Sequence, residues 1–313
     1  MSRLSRARAL ALVACAVVPA RAGAQPAAVI RLGSTTTGDG FFQPFYAAEF
    51  GFFKNAGLNV ETVAYPNAGT TAAAAAGRAI DVGFADILVL ANAVNRGLPW
   101  TIISGGALYS GDAPTTVLCV PTASPIRTAK DLEGRAVGVV VLSSISTLGV
   151  KAWLESNAAD LAKIKFLELP YPTMVPALGR GDIAAAFIAE PVLSGVKRDV
   201  RPLANAYDAI AKSFLISSCF TTRSWLAENP ATAKRLVQAL DDAARWCNAH
   251  HDETAVVLSK VSRIPLDVVR SMTRVRYGEL DARLVQPVLD VAVRYKALEK
   301  PLAAAELITK VAT

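Results

Sequence analysis

The chain has 313 residues and a mass of 32.9 kDa, a length that predicts about two domains. Hydrophobic residues make up 52% of the sequence and charged residues 19%, which excludes an intrinsically disordered chain. The sequence lacks the long uncharged runs that a protein with several membrane spans would need. The net charge is +7, and two histidines with four cysteines leave little material for a metal site.

The N-terminus has the parts of a bacterial export signal, which we predict to span residues 1–24. Three arginines are followed by an apolar stretch over residues 9–18 and by Ala22-Gly23-Ala24, which predicts cleavage before Gln25. A lipoprotein signal with Cys15 as the anchored residue ranks second, because it leaves a very short apolar segment. Both interpretations place the protein in the periplasm or at the membrane face that borders it.

The charge balance changes once this signal is set aside. Four of the 33 basic residues and none of the 26 acidic residues precede Gln25, so the net charge of the remaining chain is +3. A nucleic-acid partner needs a basic face on the folded domain itself. We therefore expect no nucleic-acid partner.

Strands and helices alternate along the first two thirds of the remaining chain. The predicted strands are residues 29–34, 59–65, 81–85, 100–104, 136–142, 164–169 and 184–188. The predicted helices among them are residues 44–54, 87–95 and 147–155, with an alanine-rich helix that ends at Gly77. The valine-rich run at 136–142 is typical of a parallel strand covered on both faces. The alternation predicts parallel α/β sheets.

The last third of the chain has a helical pattern. Apolar residues recur at helical spacing behind Asn229-Pro230 and again behind Asp281, each of which is a typical helix start. No low-complexity linker separates the parts of the chain after Gln25. Two α/β parts without a flexible tether indicate a chain that crosses between two lobes more than once.

Four motifs, in this order, resemble those of the type II periplasmic solute-binding proteins of ABC importers. The motifs are residues 45–61 (FYAAEFGFFKNAGLNVE), 77–84 (GRAIDVGF), 131–139 (DLEGRAVGV) and 181–191 (GDIAAAFIAEP). The resemblance is greatest to the NMT1/THI5-like branch, which is grouped with sulfonate-, taurine- and nitrate-binding proteins and with binders of thiamine precursors. Each motif is weak alone, but together they cover essentially the whole chain after the signal.

The resemblance implies a two-lobe α/β fold with two crossover strands and a ligand cleft between the lobes. We expect residues 27–113 with 218–313 to form the first lobe and residues 114–217 the second, with crossovers near 116–120 and 216–221. The implied function is capture of a ligand in this cleft, although the resemblance does not by itself name the ligand. We expect a small organic ligand, of sulfonate, thiamine-pyrimidine or aromatic-acid type. A monomer without a cofactor would then deliver this ligand to an ABC permease and its ATPase.

Hydroxyl groups follow several of the predicted strands. In α/β sheets, ligands bind beyond the carboxyl ends of the strands, where helix N-termini favour anions. The predicted ligand-binding hydroxyls are Thr35, Thr36, Thr37, Thr70, Thr71, Ser143, Ser144, Ser146 and Thr147. Any one of them can instead cap its own helix. Taken together, three clusters on two lobes favour ligand contact.

Aromatic and acidic residues complete the predicted site. Phe41, Phe42, Tyr109 and Tyr171 are candidates for an aromatic wall, although core packing is the alternative for each. Asp86 and Glu190 either cap helices or orient a ligand amine or ring N–H. Carboxylates without a basic residue in the same loops disfavour a strongly anionic ligand, which slightly favours a neutral or mixed organic one.

Three cysteines remain after the signal, and their odd number and wide spacing do not indicate a disulfide framework. All three are predicted to be small buried residues. The family fold places Cys119 and Cys219 on neighbouring hinge strands, so a bridge between them is a minority hypothesis in an oxidising compartment.

Two other classes of function stay open. A solute-binding partner of a signalling protein would use the same fold. A pyrimidine synthase of similar fold needs a cysteine-rich motif and an active-site histidine, whereas the only histidines here are the adjacent pair His250 and His251. No serine elbow, zinc-protease motif or phosphate-binding loop is present, so we expect no enzymatic activity and no metal site.

Overall fold

The computed structural model describes residues 28–36 and 38–311. The predicted export signal, Cys15 and Thr37 therefore lie outside the described residues. The described chain forms two five-stranded sheets and a small three-stranded sheet, with helices packed against them. Within these described ranges, no helix is both long enough and apolar enough to cross a membrane.

The first sheet has the strand order β2-β1-β3-β12-β4. Its strands are β1 (Val29–Thr35), β2 (Asn59–Tyr65), β3 (Val82–Asp86), β4 (Trp100–Ser104) and β12 (Ser217–Thr222). β1 is parallel to β2 and β3, as the alternation predicts, whereas β12 is antiparallel to β3 and β4. A strand from much later in the chain therefore completes this sheet.

The second sheet has the strand order β10-β6-β9-β7-β8. Its strands are β6 (Thr116–Pro121), β7 (Ala136–Val139), β8 (Lys165–Glu168), β9 (Ala185–Ala189) and β10 (Val200–Ala204). β7 is parallel to both β8 and β9, while β6 is antiparallel to β9 and β10. The two large sheets thus share one plan, in which parallel strands are extended by antiparallel ones.

The small sheet lies where the chain passes between the two large sheets. Its strands are β5 (Ala107–Ser110), β11 (Ser213–Leu215) and β13 (Arg276–Tyr277), with β5 in the middle and both pairings antiparallel. We call the first sheet with its helices the first lobe, and the second sheet with its helices the second lobe. Residues 111–115 and 205–212 carry the chain from one to the other.

Thirteen α-helices in the described ranges pack on these sheets or on one another. They are α1 (Gln43–Glu49), α2 (Phe52–Asn55), α3 (Ala68–Ala76), α4 (Ile87–Asn95), α5 (Ile145–Ser156), α6 (Tyr171–Arg180), α7 (Val192–Gly195), α8 (Arg223–Glu228), α9 (Pro230–Ala249), α10 (His251–Ser262), α11 (Leu266–Ser271), α12 (Ala282–Arg294) and α13 (Ala304–Leu307). The single helix predicted over 44–54 is two helices, because Gly51 between them has φ +78°, a left-handed conformation that favours glycine.

Each large sheet has its own apolar cluster. In the first lobe, Leu236 and Leu240 of α9 are buried with Leu32 and Phe84 of the sheet. In the second lobe, Met174 of α6 is buried in a cluster that includes the sheet residue Ile188. Burying one such side chain stabilises the fold by about 1.5–3 kcal/mol. These clusters hold the helices on the sheets and leave the strand ends to form the site.

The disulfide hypothesis is wrong, because the structure shows Cys119, Cys219 and Cys247 as free, buried thiols. Cys119 lies in β6 opposite Ala186, whereas Cys219 lies in β12 opposite Phe84. The two strands belong to different sheets and do not pair, because each lobe takes one of them into its own sheet. Burial raises the pKa of both Cys119 and Cys247 to about 12.

Candidate functional site

A cavity lies between the two lobes, and residues of both lobes line it. The first lobe contributes the ends of β1 and β3, the turn after β1 and the start of α3, while the second lobe contributes the segment from Val140 to Ser146 and the end of β9. The lining residues are Thr35, Gly38, Asp39, Gly40, Phe41, Asn67, Ala68, Asp86, Thr115, Thr116, Val140, Val141, Ser144, Ile145, Ser146, Tyr171, Phe187, Ala189, Glu190, Tyr207, Ile216 and Val275.

Aromatic side chains form much of the wall in the second lobe. The rings of Phe187 and Tyr207 meet edge to face, with centroids 4.9 Å apart. The backbone N–H of Ala189 donates a hydrogen bond to Tyr171 Oη at 3.0 Å, which fixes that ring at the cavity. With Phe41 from the first lobe, these residues offer an apolar surface to a flat ligand.

Asp86 ends β3 and caps α4, and it is one of the predicted site residues that line the cavity. Its Oδ1 accepts a hydrogen bond from the N–H of Val89 at 3.1 Å and a second from the N–H of Ile145 at 3.3 Å. The side chain is only 2% exposed. Burial raises the pKa of this carboxyl to about 6, although both hydrogen bonds act to lower it.

Glu190 also lines the cavity, at the end of β9, and is 5% exposed. Its two carboxylate oxygens accept hydrogen bonds from the N–H of Ser194 at 3.0 Å and from the hydroxyl of Ser194 at 2.9 Å. Burial raises the pKa of the carboxyl. Its backbone carbonyl accepts a hydrogen bond from the N–H of Asp39 at 3.2 Å, which joins the two lobes beside the cavity.

Asp39 is a lining residue that sequence reasoning missed. Arg274 Nε donates to its Oδ2 at 3.0 Å, and the hydroxyl of Tyr46 donates to its Oδ1 at 2.8 Å. The hydroxyl of Tyr277 donates to its backbone carbonyl at 2.8 Å. The ion pair is buried, with 7% of the arginine side chain and 1% of the aspartate side chain exposed. It fixes the turn that carries Phe41 at the cavity.

Of the hydroxyl cluster at the start of α5, Ser144 and Ser146 line the cavity and Ser143 and Thr147 do not. Ser144 donates to the carbonyl of Val141 at 2.7 Å, and the hydroxyls of Ser144 and Ser146 share a hydrogen bond at 2.7 Å. Thr147 donates to the same carbonyl at 2.9 Å. Ser143 lies in a separate hollow beside α3 and α4.

The two threonine clusters of the first lobe are only partly at the cavity. Thr35 lines it and Thr36 does not, while Thr37 lies outside the described residues. Thr70 forms a capping box with Asn67, in which the N–H of Thr70 donates to Asn67 Oδ1 at 2.9 Å. Thr71 is buried and donates to the carbonyl of Asn67 at 3.2 Å. At this helix start, Asn67 itself lines the cavity.

Two of the predicted aromatic residues lie in the core instead of the cavity. Phe42 is fully buried against Phe45 and Tyr46. Tyr109 is buried where the lobes join, and its hydroxyl donates to Asp208 at 2.8 Å. Core packing was the alternative given for both residues, and the structure places both in the core.

The cavity has apolar walls with a few convergent polar groups, which suits it to holding a small molecule. In the described part of the chain, no group of three His, Cys, Asp or Glu side chains is placed to hold a metal ion. The two sheets, the two chain passages and the cavity between the lobes define the two-lobe periplasmic binding protein fold.

Solved structures share this fold. The periplasmic aliphatic sulphonate binding protein SsuA from Escherichia coli matches with TM-score 0.75 and 18% identity, over 91% of this chain and 93% of that one. The alkanesulfonate-binding protein SsuA from Xanthomonas axonopodis pv. citri, bound to MOPS, matches with TM-score 0.77 and 18% identity, over 92% and 100%. The periplasmic nitrate-binding protein NrtA from Synechocystis PCC 6803 matches with TM-score 0.75 and 16% identity, over 90% and 85%.

The family is given by the sequence itself. Residues 41–254 match the family model described as NMT1/THI5 like, and the chain belongs to this family. No curated protein matches the sequence significantly. The motifs that carry the resemblance in the sequence, from residue 45 to residue 191, all lie within the matched range.

Proposed function

We propose that the protein is the periplasmic solute-binding component of an ABC importer and delivers a small organic ligand to a membrane permease and its ATPase. The observation that carries this proposal is the interlobe cavity, which both lobes line. Hinge closure of two lobes around a ligand is a common way for such a cavity to capture it. The names of the structural neighbours, binders of sulfonates and nitrate, support it.

The lining favours a ligand with a flat apolar body. Aromatic residues contribute from both lobes, and the described lining includes no lysine or arginine. Of its three carboxyl groups, Asp39 is neutralised by its ion pair with Arg274, which leaves Asp86 and Glu190. Carboxylates disfavour a strongly anionic ligand at close range. Among the sulfonate, thiamine-pyrimidine and aromatic-acid types, we therefore expect the best ligand to carry its charge, if any, away from Asp86 and Glu190.

Transport by this route needs only a closing cleft. A ligand that contacts both lobes favours the closed state by its difference in affinity for the two states. The closed pair of lobes then presents one surface to the permease, and the ligand is released unchanged. In the signalling alternative the same closure would be read by a sensor protein, and in the enzyme alternative the ligand would be altered.

The test is a thermal-shift screen of sulfonates, taurine, nitrate, thiamine pyrimidines and aromatic acids, followed by calorimetric titration of any hit. A ligand at one hundred times its Kd stabilises the protein by about 2.7 kcal/mol. Ser146→Ala, at the cavity, should weaken binding about five- to tenfold, the loss of about one hydrogen bond. Ser143→Ala, three residues earlier and outside the cavity, is the matched control.

Two results would count against the proposal. One is a screen in which no compound of these types raises the melting temperature. The other is an equal loss of affinity in Ser143→Ala and Ser146→Ala, which would place the ligand elsewhere. Recovery of the bound ligand unchanged separates a binding protein from an enzyme, and uptake into vesicles with the permease and ATPase separates import from signalling.

A further inference from the structure

One buried oxygen atom joins the starts of two helices from different lobes. Asp86 Oδ1 accepts from Val89 in the first turn of α4 at 3.1 Å, and from Ile145, the first residue of α5, at 3.3 Å. α4 belongs to the first lobe and α5 to the second. The carboxyl group is 2% exposed, so water does not compete freely for these donors.

α5 has no side-chain cap of its own. Its N-cap residue is Ser144, but that hydroxyl makes no capping hydrogen bond and instead donates to the carbonyl of Val141 at 2.7 Å. The first four N–H groups of a helix need acceptors from outside the helix. Asp86 of the other lobe supplies one of them, in a role that an N-cap side chain usually fills within its own chain segment.

A second hydrogen bond joins the lobes beside the same cavity, from the N–H of Asp39 to the carbonyl of Glu190 at 3.2 Å. It is made by backbone atoms alone, so substitution of either side chain leaves its donor and acceptor in place. Near the other end of α5, Glu155 accepts hydrogen bonds from Arg294 of α12 at 3.2 Å and from Tyr295 at 2.6 Å, but this contact is exposed. Asp86 is therefore the buried side chain through which the contacts beside the cavity can be tested.

We propose that Asp86 is an interlobe clamp, whose shared oxygen holds the start of α5 against the first lobe and favours the closed arrangement of the protein. Opening the lobes separates Ile145 from Asp86. Without the oxygen, the closed state would leave a buried N–H without an acceptor, whereas the open state would expose it to water. Loss of the oxygen should therefore shift the ratio of open to closed molecules about tenfold or more toward the open form.

The clamp depends on the acceptor oxygen and not on the charge. Asp86→Ala removes the oxygen, while Asp86→Asn keeps one oxygen and removes the charge. Ile145→Pro removes the N–H from the other side, at the first helical position, where proline is well tolerated. Ser144 before it has φ −106° and ψ 170°, which a residue preceding proline adopts readily.

Each variant has a matched control. Asp281→Ala removes the aspartate cap of α12, which accepts from Arg283 within one segment and joins no lobes. Ile145→Ala loses the packing of the buried side chain, as Ile145→Pro does, but it keeps the N–H. Two measurements are made on the folded protein in buffer: the radius of gyration by small-angle X-ray scattering and the exchange rate of the Ile145 amide.

We expect Asp86→Ala and Ile145→Pro to have a larger radius of gyration than the wild type, and the Ile145 amide of Asp86→Ala to exchange about ten times faster. Asp86→Asn, Asp281→Ala and Ile145→Ala should keep the wild-type radius. If Asp86→Ala does not fold, Ile145→Pro against Ile145→Ala decides the question. Wild-type dimensions in both Asp86→Ala and Ile145→Pro, or equal opening in Ile145→Ala, would overturn the proposal.

Discussion

Asp86 carries a carboxyl group whose protonation is linked to folding. Its burial raises its pKa to about 6, above the ordinary value of 3.8. Tyr207, whose pKa is raised by burial and by this same carboxylate, faces it from the second passage between the lobes. Because the folded state binds the proton more tightly than the unfolded state, this group stabilises the fold fully at low pH, and that contribution is lost as the pH rises through about 6.

We therefore predict that Asp86→Asn becomes more stable relative to wild type as the pH rises. Between pH values of about 3 and 8, the difference in unfolding free energy should change by about 3 kcal/mol in favour of the variant, as measured by urea unfolding. Asp281→Asn should instead become less stable relative to wild type as the pH rises, because the hydrogen bond from Arg283 lowers the pKa of Asp281. A constant difference between Asp86→Asn and wild type would contradict the assignment.

Single residues also show what sequence reasoning can and cannot reach. The choice between capping and ligand contact was open for Thr70, and the structure gives it a capping role through Asn67. Asp39 and Arg274 carried no local signal, because they are 235 residues apart and form a buried pair only after folding. A charge whose partner is so distant in sequence cannot be assigned a role from its neighbours.

Among the elements, local periodicity predicted several bounds that the structure confirms. The strands at 59–65 and 100–104 and the helix at 87–95 are found as predicted. The valine-rich run at 136–142 forms a strand only to Val139, and Val140 and Val141 line the cavity instead. Short strands such as β5 and β13 are stabilised by pairing with each other. This pairing joins distant parts of the chain, so no local sequence pattern predicts it.

Close approach of two segments leaves no room for a side chain at Gly105. A Cβ atom at Gly105, between β4 and β5, would lie 2.0 Å from the carbonyl oxygen of Gly278, which leads out of β13. Gly179, near the end of α6, has open space where its Cβ would be. We predict that Gly105→Ala destabilises the protein by about 1–3 kcal/mol, whereas Gly179→Ala stabilises it by about 0.5–1 kcal/mol.

Urea unfolding of the two variants measures this difference. The sign of the change at Gly179 reports helix propensity, and the change at Gly105 reports the contact between the two segments. Equal effects in the two variants would show that the approach of residues 105 and 278 is not tight in solution.

The whole molecule is held together without a covalent bridge among its described cysteines. We predict that a reducing agent leaves the melting temperature unchanged. Thiol reagents should label Cys119, Cys219 and Cys247 only after the protein is unfolded, because all three are buried. Mass spectrometry of labelled native and unfolded protein counts the reactive thiols, and a loss of stability on reduction would contradict the free-thiol assignment.

For the fold of the whole molecule, the sequence motifs were more informative than the hydrophobic periodicity. Their order indicated the two-lobe fold that the structure shows, while the alternation of strands and helices indicated only parallel α/β sheets. The antiparallel insertion of β12 was not predicted, because it depends on which sheet accepts a returning strand. The disulfide hypothesis failed for the same reason.

The insertion of β12 between β3 and β4 has a consequence for how the polypeptide matures. A nascent chain that ends before Ser217 has β3 and β4 but nothing to bridge them, and it also lacks α9, whose leucines cover that sheet. The first sheet can therefore not complete its strand order or its apolar core until the polypeptide has been synthesised well beyond its midpoint. Completion of one lobe is thereby made conditional on synthesis of the other.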